Sequence, residues 1–243
     1  YVFTVVSDPV RPTVNVATPA TPSVCAGSGV SVTFNPGTGG TGSCADEFQY
    51  SVDNGASYLP YTPGATISAG TMTVIVQGRR VCDGPGCDGS GETFATLQTW
   101  TINQNPVINI LPNPAEVCEG VGLNLNGNPS GGSGVYSTHL WSGTHADSLN
   151  NPNIQMPVFT SDNSGIFVLN YGVTDNNGCF SSASVSIEVF ENRQGNILAD
   201  IYTVCPGEDL DLDGNPSGGS GNYVTHLWTG TGAASLDDVN IQA

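Results

Sequence analysis

The chain has 243 residues, with 32 Gly, 16 Pro and only 10% charged side chains. Its 21 acids face four arginines and no lysine, a net charge of −17. That balance excludes a nucleic-acid surface, a polybasic membrane patch, Schiff-base chemistry, a phosphate-binding lysine and Lys–Asn cross-links. An apolar fraction of 38% set in short alternating runs points to a folded, all-β, loop-rich chain. No apolar run approaches the length of a membrane span, and no signal peptide is present, so Tyr1 is expected to be an internal or mature start.

In chain order, residues 1–12 read as the last strand of a preceding module, because YVFTVVSDPVR resembles the later LQTWTINQ and VSIEVFEN. Residues 13–104 form a first module that opens on Val24-Cys25-Ala26-Gly27 and the alternating Val30 and Val32, and later carries YSVDNGASYLPYTPG. Residues 105–191 form a second. Here Phe167, Leu169, Tyr171 and Val173 share one strand face, and Ala183, Val185, Ile187 and Val189 another. Residues 192–243 are a truncated copy of the second. Cys118–Gln155 and Cys205–Gln242 match without a gap at 25 of 38 positions, at an offset of 205 − 118 = 87 residues. Modules of about 90 residues with roughly seven short strands have the size of an immunoglobulin-like sandwich. The NPSGGSG segments and Asp175-Asn176-Asn177-Gly178 supply the turns.

The run GIFVLNYGVTDNNGC, ending at Cys179, resembles the G-x-Y-x-L-x-V-T-D-x-x-G-C ending of PKD-like, immunoglobulin-like repeats. Modules with NPSGGSG and THLW before that ending are similar to tandem repeats of giant Bacteroidota surface proteins. The 13–104 segment is similar to a sister subtype. The resemblance covers essentially the whole chain. It implies an all-β chain of tandem immunoglobulin-like (PKD-like) β-sandwich modules, exported by the type IX route. It further implies a cell-surface adhesin, gliding-motility filament or stalk. The partners expected are neighbouring modules, surface glycans or other cells, with outer-membrane attachment outside this segment and no nucleic acid. The alternative is a glycan-binding or spacer module of a secreted polysaccharide-degrading enzyme.

Seven cysteines without metal-type spacing point to disulfides and an extracellular setting. Position in the repeat pairs Cys118 with Cys179. It pairs Cys25 with Cys82 or Cys87, leaves Cys44 the other, and places the partner of Cys205 beyond residue 243. Asp209, Asp211 and Asp213 superficially resemble a calcium loop, but Ser220 stands where the bidentate Glu belongs. The default there is a strand whose Leu210 and Leu212 face the core, so no cofactor is expected and calcium is the one candidate. His139 and His226 recur in T-H-L-W, as packing or hydrogen-bonding residues. Trp141 and Trp228 are candidate sugar-stacking platforms, against a default of core filling. Ser148, in Asp147-Ser148-Leu149, is a candidate O-glycosylation acceptor. Without HExxH, G-x-S-x-G or a Cys/His dyad, the chain is expected to be non-enzymatic.

Overall fold

The structure is a computed structural model that describes residues 5–84, 90–199 and 203–240. It is all-β. Its helical segments among these residues are three-residue 3-10 turns.

The first eight strands are β1 (Thr13–Thr18), β2 (Ser23–Cys25), β3 (Gly29–Asn35), β4 (Cys44–Ser51), β5 (Leu59–Pro60), β6 (Ile67–Ser68), β7 (Val74–Cys82) and β8 (Ala95–Asn103). They form two sheets, in the orders β1-β3-β6 and β2-β8-β7-β4-β5. The period-two pattern places Val30 and Val32 of β3 against Val74 and Val76 of β7, with Trp100 of β8 fully buried among them. Burying each such side chain contributes roughly 1.5–3 kcal/mol. The Tyr61 hydroxyl ties this core to the backbone: it accepts from Val32 N–H at 2.9 Å and donates to the Val32 carbonyl at 3.0 Å. Two of the four arginines serve the sheet, Arg79 pairing with Glu47 at 2.6 Å and Arg80 with Asp46 at 2.9 Å across β4 and β7. Of residues 1–12, the described part makes one isolated bridge, Val10 to Thr38.

The next eight are β9 (Pro106–Ile108), β10 (Ala115–Cys118), β11 (Leu123–Asn124), β12 (Pro129–Gly131), β13 (Tyr136–Ser142), β14 (Val158–Phe159), β15 (Gly165–Asp175) and β16 (Phe180–Phe190). The main sheet has the order β10-β16-β15-β13, with β11-β14 and β12-β9 as small sheets. Along β15 the expected face is buried: Phe167, Leu169, Tyr171 and Val173 alternate with exposed or half-buried residues. Gly127 lies against the Tyr171 ring, where any Cβ would overlap it.

Among the described residues of 192–243 there are two short strands, β17 (Leu198–Ala199) and β18 (Leu212–Asp213). Residues 223–229, the copy of β13, form no strand. In the second copy β13 pairs with β15. Val224 and Leu227 are exposed, as are their equivalents Ser137 and Leu140 in β13.

The described residues form two compact units. One comprises residues 1–107 together with 130–137 and 173–181; the other comprises 108–129, 138–172 and 182–243.

Candidate functional site: a cystine held by a buried aspartate turn

The most constrained cluster lies within the first of these units, around a disulfide between Cys25 and Cys179 with a Cα–Cα distance of 5.4 Å. Cys25 ends β2, which runs parallel to β8 and places Cys25 opposite Asn103. Cys179 follows the turn between β15 and β16 and is fully buried.

Asp175 positions Cys179. Its carboxylate is 1% exposed and accepts three backbone N–H groups: Asn177 at 2.9 Å, Cys179 at 2.9 Å and Ser133 at 2.8 Å. A buried carboxylate is tolerated because each lost water contact is replaced by a charge-assisted hydrogen bond. The Asp175 N–H closes the turn on the Cys179 carbonyl at 2.9 Å. Gly132 makes room for this. It sits at φ +60°, and a Cβ there would lie 2.6 Å from Asp175 Oδ2. The glycines of NPSGGSG thus allow the loop to wrap the aspartate that sets the cysteine.

The pairings expected from position in the repeat are corrected. Cys118 and Cys179 do not pair, and Cys118 is a free, half-buried thiol. β10 runs parallel to β16 with Cys118 opposite Phe190, its last residue, whereas Cys179 precedes Phe180, its first. Eleven strand residues span roughly 35 Å, far beyond the about 4.4–6.8 Å a disulfide bridges. Cys25 does not pair with Cys82, because β7 is antiparallel to β8 and Cys82 lies past the Ala95 end, away from Asn103. Instead Cys44 and Cys82 are direct cross-strand partners, bonded at a Cα–Cα distance of 4.1 Å. Cys87 lies outside the described residues. Cys205 is exposed and free.

The other candidates are placed as follows. Trp141 is 1% exposed and its Nε1–H donates to the Ile154 carbonyl at 3.0 Å, so it fills the core and offers no face to a sugar. Trp228 is half-buried beside Pro216 and Leu227 in a depression of about 260 Å³. His139 Nδ1 lies 2.6 Å from the Tyr171 hydroxyl, and burial holds its pKa below the usual 6.5. Ser148 is half-buried at the end of a 3-10 turn, with its carbonyl accepting from Thr160 N–H. Asp209, Asp211 and Asp213 do not converge: among the described residues no group of three acids, histidines or cysteines is placed to hold a metal. Asp213 accepts Asn215 N–H at 2.8 Å, as Asn126 accepts Asn128 N–H at 2.8 Å. The amide-to-acid change between copies therefore preserves a turn acceptor. Sequence reasoning missed Asp175, Ser133 and Gly132 as a unit. The available signal was the D-x-x-G-C of residues 175–179 together with the GGS of residues 131–133, repeated at 218–220.

The sheets and their buried alternate residues define an all-β chain of immunoglobulin-like β-sandwich modules, and it carries two cystines. No family model and no curated protein matches it. Among solved structures it is similar to the PKD domain from the KIAA 1837 protein, at 23% identity over 35% of this chain and 85% of that one, with a TM-score of 0.29. It is also similar to three N-terminal domains of the bacteriophage RB49 highly immunogenic outer capsid protein, at 13% identity over 86% and 69%, with a TM-score of 0.35. A third likeness is to Sidekick-1 immunoglobulin domains 1–4, at 13% identity over 75% of this chain and 50% of that one, with a TM-score of 0.34.

Proposed function

We propose that the chain is a non-enzymatic segment of a long extracellular repeat protein, a cell-surface adhesin, filament or stalk whose sandwiches are disulfide-locked spacers. The Cys25–Cys179 cystine carries this reading. Force that enters the chain at Cys25 leaves at Cys179, so the backbone between them, 154 residues in separation, is shielded from extension. At ~3.4 Å per extended residue that withholds roughly 520 Å of contour. A spacer must keep its length under load, and a covalent bypass achieves this where a small core alone unfolds. Export by the type IX route and an origin in Bacteroidota belong to the same proposal, through the motif resemblance.

The test is immunolabelling of intact producing cells with an antibody to this chain. Labelling of unpermeabilised cells that is shed by external protease is the expected result. Antigen detected only after lysis overturns the reading.

The glycan-binding alternative rests on Trp228, which is half-buried beside a depression while Trp141 is sealed in the core. Glycan-array binding lost in Trp228→Ala would favour it.

A further inference from the structure

The cystine at Cys25 leaves an unpaired counterpart. Cys25, Cys118 and Cys205 occupy the same turn in three successive copies. Ser28 N–H donates to the Cys25 carbonyl, Val121 N–H to that of Cys118 and Glu208 N–H to that of Cys205, each at 3.1 Å. Each turn carries a positive-φ glycine, at Gly27, Gly120 and Gly207. The flanking sheet is the same for the first two. Cys25 lies opposite Asn103, whose carbonyl accepts from Ala26 N–H at 2.9 Å, and Cys118 opposite Phe190, whose carbonyl accepts from Glu119 N–H at 2.9 Å. Yet Cys25 is oxidised and Cys118 is a free thiol.

A second observation points to what Cys118 receives. In the second copy, Gly132 of NPSGGSG packs on Pro106, three residues past Asn103, and wraps the aspartate that presents Cys179. The third copy repeats the first half of that arrangement. Gly219 N–H donates to the Glu191 carbonyl at 2.7 Å, and Gln194 and Ser217 exchange both backbone hydrogen bonds at 2.8 Å. The GGS loop of the third copy is therefore already seated next to Phe190, the neighbour of Cys118. Continued at the same period, the third copy would place its D-x-x-G-C cysteine at 179 + 87 = 266.

We propose that Cys118 is the acceptor for the turn cysteine of the following copy, so that consecutive copies are joined covalently, first-strand cysteine to next turn cysteine, along the array. Each bond forms from two thiols, which lose two protons and two electrons to a disulfide oxidant; with oxidised glutathione the products are the cystine and two reduced glutathiones. The closed loops overlap, 25–179 with 118–266. A covalent path can then run from Cys25 across to Cys179, along 205 − 179 = 26 residues to Cys205, and across again. From Cys25 to Cys205, 205 − 25 = 180 residues would be spanned by 26 residues of backbone, roughly 90 Å in place of roughly 600 Å. This covalent order rests on the proposed reading of the chain as a segment of a longer repeat array but not on where that array is displayed, so a failed surface-labelling experiment would leave it standing.

The test extends the full chain by completing its third copy with the second copy's own sequence, residues 156–191 joined after Gln242. After oxidation with glutathione, non-reducing peptide mapping is expected to link Cys118 to the added cysteine, with Cys25–Cys179 retained. In the unextended chain Cys118 is expected to alkylate in the native state. A link from the added cysteine to Cys205, or a Cys118 that stays alkylatable in the extended chain, overturns the proposal. A second measurement uses the unextended Cys25→Ala chain, in which Cys118 and Cys179 are both expected to remain thiols. A Cys118–Cys179 bond there would overturn it as well.

Discussion

Replacing both Cys25 and Cys179 by alanine tests whether one bond stabilises two modules. With residues 13–103 folded, Cys25 is fixed beside Asn103, so unfolding the second stretch with the bond intact leaves a closed loop of 179 − 103 = 76 residues. With the second stretch folded, unfolding the first leaves a loop of 103 − 25 = 78 residues. Chain-entropy reasoning assigns either closure about 4.5 kcal/mol. Both unfolding transitions should therefore lose stability by about 3–5 kcal/mol. Trp100 and Trp141 are fully buried in the first and second stretches, so fluorine NMR of fluorotryptophan-labelled protein in a urea titration reads the two separately. The control is Cys44→Ala with Cys82→Ala, which opens a loop of 38 residues inside the first stretch alone. It should lower the Trp100 transition by about 3–4 kcal/mol and leave that of Trp141 in place. If the Cys25/Cys179 change moves one transition alone, or both by less than about 1 kcal/mol, the shared-staple reasoning fails.

Asp175→Ala removes the acceptor for three backbone N–H groups in a buried turn; a loss of about 2–4 kcal/mol in urea unfolding is expected, together with exposure of Cys179 to alkylation. Gly132→Ala should weaken the same turn by more than about 1 kcal/mol, because a Cβ at φ +60° meets the Asp175 carboxylate. His139 has a pKa held below its usual value by burial, so the folded state disfavours the imidazolium. Its contribution is complete above about pH 6.5 and is lost as pH falls below that. The Trp141 unfolding midpoint should drop between pH 7.5 and 5.5, with a smaller drop in His139→Gln. Asp53, held by hydrogen bonds from Ser51 and Ser57, has its pKa lowered to about 2; a carboxyl carbon NMR titration should find it there, shifted up in Ser51→Ala, and a midpoint near 4 in the wild type would contradict the turn geometry.

Much of the fold was legible because a half-buried strand writes its burial into alternate positions. Val30 and Val32, and Phe167 through Val173, face the core as their spacing requires. The 87-residue repeat likewise exposed the turns, since NPSGGSG and D-N-N-G need residues that tolerate positive φ. Trp141 was ambiguous from sequence, because an indole suits a core as well as a sugar face. Its sealing depends on Tyr171, 4.8 Å away between ring centres, and on the Ile154 carbonyl. Asp213 was ambiguous too, because a carboxylate that accepts one backbone N–H looks in sequence like a metal ligand.

Composition and periodicity by themselves determined an all-β, lysine-free, cysteine-bearing tandem repeat, because burial and turn chemistry are local and recur in every copy. The disulfide partners were decided only in three dimensions. Periodicity tells which residues share a strand face, but says nothing of strand direction or of which end of an eleven-residue strand a neighbour reaches. The parallel pairing of β10 with β16 puts Cys118 at the end remote from Cys179, and the turn built on Asp175 delivers Cys179 to Cys25 instead.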